Sequence, residues 1–206
     1  VGVEGGVFRV TEGLQKKYGK ERVFDSPLAE SGIVGTAVGM AVAGLRPVVE
    51  MQFSGFVFPA FNQILSHAAR MRNRSRGRYQ TPILIRMPYG GGINALEHHS
   101  ESMEALFGHV QGLKVVIPST PHDAKGLLVS AIESNDTVIF MEPKRIYRAI
   151  KQEVPEEKFS IPLGKASIVS RGTDITIVAY GAMLREVQKA MVMAKAAGIS
   201  VELIDL

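Results

Sequence analysis

Residues 114–142, KVVIPSTPHDAKGLLVSAIESNDTVIFME, read as a strand, a helix and a second strand in succession. KVVIP (Lys114 to Pro118) and TVIFME (Thr137 to Glu142) are short, β-branched and apolar on both faces, as strands buried in a parallel sheet are. Between them, Pro121 to Glu133 reads as a helix. Its proline follows Thr120 and takes the first helical position, where no amide donor is needed. The same alternation extends toward the N-terminus. PVVEMQ (Pro47 to Gln52) and PILIRM (Pro82 to Met87) are further strands, and Pro27 to Ala43 and Pro59 to Arg74 are further helices. Such alternation implies an α/β domain around a central parallel sheet. From Pro143 to Gly164 the pattern gives way to a polar, charged connector. DITIVAYG, MLREVQKAMVMAKAAG and ISVELIDL then form one βαβ unit, with Gly198 ending its helix. That unit is too small to stand alone, so a second α/β domain is expected to begin here.

Composition is that of an ordinary globular protein, with 46% hydrophobic and 21% charged residues in a chain of 206. Twenty-four basic against 20 acidic side chains give a formal charge of +4, too mild to indicate a nucleic-acid or membrane partner. Without cysteine, neither a disulfide framework nor a thiolate metal site can form, and a reducing interior is slightly favoured. The opening VGVEGG has neither the basic flank nor the apolar core of a signal peptide. The longest apolar run, Ile33 to Leu45, has 13 residues. A membrane helix needs about 20. The absence of an initial methionine and the apolar close VELIDL suggest that both ends continue beyond this sequence.

The familiar nucleotide fingerprints fail: Gly90-Gly91-Gly92 completes no GxGxxG, and no P-loop occurs. His98-His99 lacks the companions of a metal site, so no metal ligand is assigned. Glu30 is more informative, because it opens a helix otherwise apolar and rich in small residues. It either complements the positive helix end or is desolvated and able to share a proton with a ligand. Gly35, Gly39 and Ala43, spaced by four, offer a flat face for close packing. Phe53, Phe56, Phe58 and Phe61 cluster beyond the strand PVVEMQ, at the carboxyl end where α/β proteins place ligands. Their spacing fits no single strand face, so at least one should reach the loop region, where a planar ring would stack. Arg70, Arg72, Arg74, Arg76 and Arg78 alternate along a helix end and spread around it, as a solvated end or subunit contact does.

The run GGVFRVTEGLQKKYGKERVFDSPLAESGIVGTAVGMAVAGLRPVVEMQF resembles the β subunits of the dehydrogenase component of pyruvate and branched-chain 2-oxo acid dehydrogenase complexes. So do FPAFNQILSHAARMR, HHSESMEALFGHVQGLKVVIPSTPHDAKGLLVSAIE and VAYGAMLREVQKA. The likeness covers essentially the whole chain. It implies a transketolase-like pyrimidine-binding domain over residues 1–150, a connector over 151–165, and the start of a C-terminal transketolase-like domain over 166–206. It also implies thiamine diphosphate as coenzyme. Glu30 matches the family's activating glutamate, which hydrogen-bonds a ring nitrogen of the aminopyrimidine so that the ring can take up a proton. Phe56 matches the aromatic stacked on that ring, and Leu28 an apolar residue of the same pocket. His99, not His98, matches the channel histidine associated with acyl transfer to a lipoyl group.

Some relatives hold potassium near the segment matching Ala131 to Asp136, but Ser134 and Asp136 depart from that pattern and the ion is not assigned here. The family's diphosphate- and magnesium-binding GDG…N motif is absent, as expected if an α subunit carries it. The implied assembly is a heterotetramer of two α and two β subunits serving a lipoyl acyltransferase core. Its substrate is a small 2-oxo acid, pyruvate or branched-chain, and neither nucleic acid nor membrane is expected as a partner. The implied location is the cytoplasm of a bacterium or archaeon, or the mitochondrial matrix of a eukaryote. Two other readings compete. One is an internal piece of a single-chain transketolase-like enzyme; the other is a basic nucleic-acid or acidic-protein module built on Arg70–Arg78, with binding that falls steeply with salt.

Overall fold

The structure, a computed structural model, describes residues 2–206. Its helices are α1 (Leu14–Tyr18), α2 (Glu30–Val42), α3 (Met71–Arg74), α4 (Glu104–Gly108), α5 (Pro121–Glu133) and α6 (Met183–Ala196). Its strands are β1 (Val48–Glu50), β2 (Leu84–Tyr89), β3 (Lys114–Val116), β4 (Val138–Pro143), β5 (Ser167–Ser170), β6 (Ile175–Ala179) and β7 (Val201–Asp205). The first four strands form one all-parallel sheet in the order β1-β2-β4-β3. Period-two alternation divides its side chains between two cores. Ile83, Ile85, Met87, Ile139 and Met141 pack with Val34, Ala37 and Ala41 of α2 and with Phe107. Leu84, Val138 and Phe140 face the other way, onto Ala131 of α5. With both faces covered, β2 and β4 are buried along their whole length and mostly apolar, as the sequence pattern implies.

Helix α5 lies where its sequence placed it, because Thr120 Oγ1 accepts the Asp123 N–H at 3.1 Å and Pro121 starts the first turn. Helix α2 begins three residues later than expected. The Pro27 carbonyl accepts the Ala29 N–H at 2.8 Å, and this tight turn holds Leu28 outside the helix. Glu30 thereby becomes the first helical residue, with no side chain capping the start. Of the flat face, Gly35 and Gly39 lie on α2, whereas Ala43 is its C-cap.

The single helix expected from Pro59 to Arg74 is replaced by three short pieces. A 3-10 turn spans Ser54–Ala60 with Pro59 inside it, a π-helix spans Gln63–Ala68, and α3 follows. The wide winding shows in the Ala69 N–H, which bonds Ile64 rather than Leu65. Neighbours meet the backbone here: Thr81 Oγ1 donates to the Ala68 carbonyl at 2.8 Å, and a Cβ on Gly112 would sit 2.1 Å from the Ala69 oxygen. Gly112 also has φ +95°. Gly112→Ala is therefore expected to lower the unfolding free energy by roughly 2–4 kcal/mol, from left-handed strain and the clash together. A urea titration reads this directly; a loss below about 1 kcal/mol would mean that the Ala69 carbonyl yields freely.

The second sheet has the order β5-β7-β6. β6 runs parallel to β7 through α6, and β5 is an antiparallel edge that the sequence pattern did not reveal. Gly198, at φ +77°, ends α6 as expected. The polar connector is strapped along α5. Lys125 Nζ donates to the carbonyls of Glu156 and Glu157, each at 3.0 Å, and Ser130 Oγ donates to the Ile161 carbonyl at 2.6 Å. His122 stacks on Phe159 at 4.6 Å. Between the sheets, Ser119 Oγ donates to Asp205 and accepts the Gly181 N–H, both at 2.8 Å. Burial raises the Asp205 carboxyl despite the bond from Ser119.

Candidate active site at the carboxyl end of the first sheet

Beyond β1 the chain passes through Phe53, buried and extended, into the 3-10 turn that carries Phe56. The loop after β2 folds back over this turn. Ser54 Oγ donates to the Glu101 carbonyl at 2.9 Å, and the Gly90 N–H donates to the same oxygen at 2.8 Å. Gly55 permits the approach, since a Cβ there would stand 2.2 Å from the His98 oxygen. The outcome is an aromatic nest. The His99 ring meets Phe53 at 4.6 Å and Phe56 at 5.2 Å, both edge-on, while Phe53 and Phe56 meet at 5.8 Å. Edge contacts of this kind orient rings beyond what burial alone does. His99 Nδ1 is enclosed with no hydrogen-bond partner, a state that calls for an explanation in a native site. His98 is exposed and tilts against Phe56 at 6.3 Å.

Helix α2 packs against the turn bearing Phe56, which in turn packs against the turn Glu97–His99. Phe56 and His99 are therefore brought into contact, and Glu30 stands at the start of the adjoining helix. Glu30 is half-buried, and among the described residues no ion pair or side-chain hydrogen bond occupies its carboxylate. Leu28 is 75% exposed.

Beside this nest lies a buried ionic cluster. Arg86 of β2 donates to both oxygens of Glu142 at 2.7 Å and pairs with Glu50 on the opposite neighbouring strand. The Tyr147 hydroxyl donates to Glu142, and burial together with that carboxylate pushes the phenol far above its ordinary range. Phe8 lies edge-on to both Tyr147, at 5.1 Å, and Phe53, at 5.7 Å. Lys144, one residue past β4, directs its ammonium over the Phe53 ring at 5.4 Å and has no hydrogen-bond partner. Desolvation lowers its pKa to about 8. The sequence reading missed this cluster. Its signal was one charged residue inside each otherwise apolar strand segment: Glu50 in PVVEMQ, Arg86 in PILIRM and Glu142 in TVIFME.

Two arginines of the arginine-rich segment are engaged elsewhere, Arg74 donating to the Ser66 carbonyl at 2.7 Å and Arg72 pairing with Asp136. Arg72 and Lys114 reach Asp136 at 2.5 and 3.0 Å; burial acts to raise that carboxyl, but the two cations hold it below its usual value. Arg46 donates to the carbonyls of Ile132 and Ser134 at 3.1 and 2.9 Å, closing the end of α5. Arg46 also donates to Asn135 Oδ1 at 2.6 Å, so several acceptors of the segment 131–136 are taken by the protein's own side chains.

The profile of the transketolase pyrimidine-binding domain matches residues 2–150, and that of the transketolase C-terminal domain matches residues 164–206. The chain belongs to the transketolase pyrimidine-binding family. Among curated relatives it is 64% identical to the pyruvate dehydrogenase E1 component subunit beta of Acholeplasma laidlawii, over 205 residues. It is 55% identical to the protein of that name from Mycoplasma pneumoniae and 54% identical to that of Bacillus subtilis. In each case the match covers all of this chain and 63% of the relative. A split-gene transketolase, solved as an inactive β4 tetramer, superposes with a TM-score of 0.77 at 22% identity, covering 96% of this chain and 61% of that one. That likeness establishes the transketolase-like α/β fold. Among the described residues no helix is long and apolar enough to cross a membrane.

Proposed function

We propose that this chain is part of the β subunit of a pyruvate dehydrogenase E1 component and supplies the aminopyrimidine side of a thiamine diphosphate site. The observation that carries the reading is the nest of Phe56 and His99 beside a helix whose first residue, Glu30, has a carboxylate with no partner among the described residues. These residues fit the coenzyme by their chemistry. Glu30 can exchange a proton with a ring nitrogen, Phe56 can stack on a flat heterocycle, and Leu28 adds an apolar wall. When bound, thiamine diphosphate supplies the electron sink for loss of carbon dioxide from a 2-oxo acid. Glu30 holds the proton that the pyrimidine ring exchanges. Phe56 fixes the plane of the ring, and Phe53 and His99 fix Phe56. His99, with Nδ1 unpartnered, is the group available for proton transfer to an acceptor such as a lipoyl group.

In this reading residues 1–150 form the pyrimidine-binding domain, 151–165 the connector, and 166–206 the start of the C-terminal domain. An α subunit brings the diphosphate and magnesium site in a heterotetramer of two α and two β chains, attached to a lipoyl acyltransferase core in a bacterial cytoplasm. Pyruvate is favoured over branched-chain 2-oxo acids by the names of the relatives. The test is the full-length β chain assembled with its α subunit and assayed with an artificial electron acceptor. Decarboxylation should require thiamine diphosphate, and kcat/KM for pyruvate should exceed that for 2-oxoisovalerate by about tenfold or more, a difference of at least 1.4 kcal/mol in transition-state binding. No turnover of any 2-oxo acid would sink the reading, whereas an inverted ratio would make the substrate branched.

A further inference from the structure

Lys144 has no task in the site just proposed. Its residue is only 5% exposed, its ammonium is enclosed without an acceptor, and its ring neighbour is Phe53. The charged groups nearest in the fold are already committed. Glu50 and Glu142 both bind Arg86, and Tyr147 donates to Glu142. Neither carboxylate bonds Lys144. A methionine of similar length would fill the same space without removing a charge from water, so the lysine is a burden to the fold. The same ring meets His99 at 4.6 Å, and the His99 Nδ1 is likewise enclosed and unpartnered. Two buried polar atoms without partners thus lie close to one aromatic ring, and that ring belongs to the nest proposed to hold the aminopyrimidine of the coenzyme.

We propose that Lys144 is a positioning residue for an anionic substrate: its buried ammonium, against the Phe53 ring that also meets His99, attracts the carboxylate of a 2-oxo acid without touching it. The proposal rests on the reading of the nest as the thiamine site. A charge set in apolar surroundings acts over a longer range than one at the surface, where water and salt screen it. At an effective dielectric of about 20 and a separation on the order of 10 Å, two opposite unit charges favour association about tenfold. An attraction of this range is felt about equally by the docked acid and by the transition state while the carboxylate keeps its charge. It therefore acts mainly on KM, with little effect on kcat.

The experiment uses the full-length β chain assembled with its α subunit. Lys144→Met is expected to raise KM for pyruvate about tenfold while kcat stays within about threefold, and to be at least as heat-stable as the parent. Lys144→Arg should keep the low KM. Since burial brings the amine to about 8, the parent loses the charge as pH rises through that value, and its KM should climb between about pH 7 and 9. Glu50, Arg86, Glu142, Tyr147 and His99 surround the same region, so the informative quantity is the ratio of Lys144→Met to parent KM. That ratio should shrink toward one with rising pH, which a purely structural lysine would not produce. An unchanged KM in Lys144→Met, or a fall in kcat at constant KM, would overturn the proposal alone. An assembled parent that decarboxylates no 2-oxo acid would overturn the reading of the nest as well.

Discussion

Glu30→Gln, in the full-length chain assembled with its α subunit, should lose on the order of 10²–10⁴-fold in decarboxylation. Glutamine preserves the size of the side chain and its ability to hydrogen-bond a ring nitrogen, but it cannot exchange the proton. The loss should fall on kcat and kcat/KM alike, because proton placement is needed in the transition state and not for docking. Assembly should be unaffected, since among the described residues the Glu30 carboxylate holds no partner that the substitution would release. Steady-state kinetics and gel filtration together decide the matter. Turnover near that of the parent would remove Glu30 from the mechanism, and a collapse of the tetramer would assign it a structural role instead.

Arg86→Met is expected to produce the largest effect on the fold itself. Arg86 sits on a central strand, paired with Glu50 on β1 and bidentate with Glu142 on β4, and all three are largely buried. Removing the guanidinium leaves two enclosed carboxylates with no cation between them. Breaking a buried pair in this way costs about 3–5 kcal/mol. For a chain of this size each kcal/mol shifts the melting temperature by roughly 2–4 °C, so a fall of about 10 °C is expected. Replacing all three together, Glu50→Leu with Arg86→Met and Glu142→Leu, should recover much of that loss, because no unpaired charge remains. A single Arg86→Met variant within about 1 kcal/mol of the parent would show that water reaches the cluster.

The parallel sheet was legible because its strand segments are short, β-branched and mostly apolar, and α5 because Thr120 and Pro121 mark its start. The roles of Glu30, Phe56 and His99 came through resemblance; the residues alone left Glu30 between a helix-end charge and a proton-sharing carboxylate, and Phe56 as one of four candidate stacking rings. That Phe56 and His99 touch could not be read from positions 43 residues apart. Their contact depends on Gly55 yielding space to the His98 carbonyl, a fact of three dimensions. The late start of α2 turned on a bond from Ala29 to Pro27 that helix propensity does not register. The π-helix escaped for a related reason, since the residues that approach its last turn, Thr81 and Gly112, come from distant sequence. Charged residues in apolar strands were visible and went unused. Their alignment across β1, β2 and β4 needed the strand order, which puts β4 and not β3 beside β2.

The strap along α5 has a bearing on how the two sheets can move. A polar stretch of this composition would ordinarily act as a hinge and as a target for proteases, which need a loosened length of backbone to cut. Here its carbonyls are gripped by Lys125, its Ile161 is bonded at both backbone ends to α5, and Phe159 is stacked on His122. Any swivel of the smaller sheet must therefore take place in the few residues on either side of the strap, or drag α5 along with it.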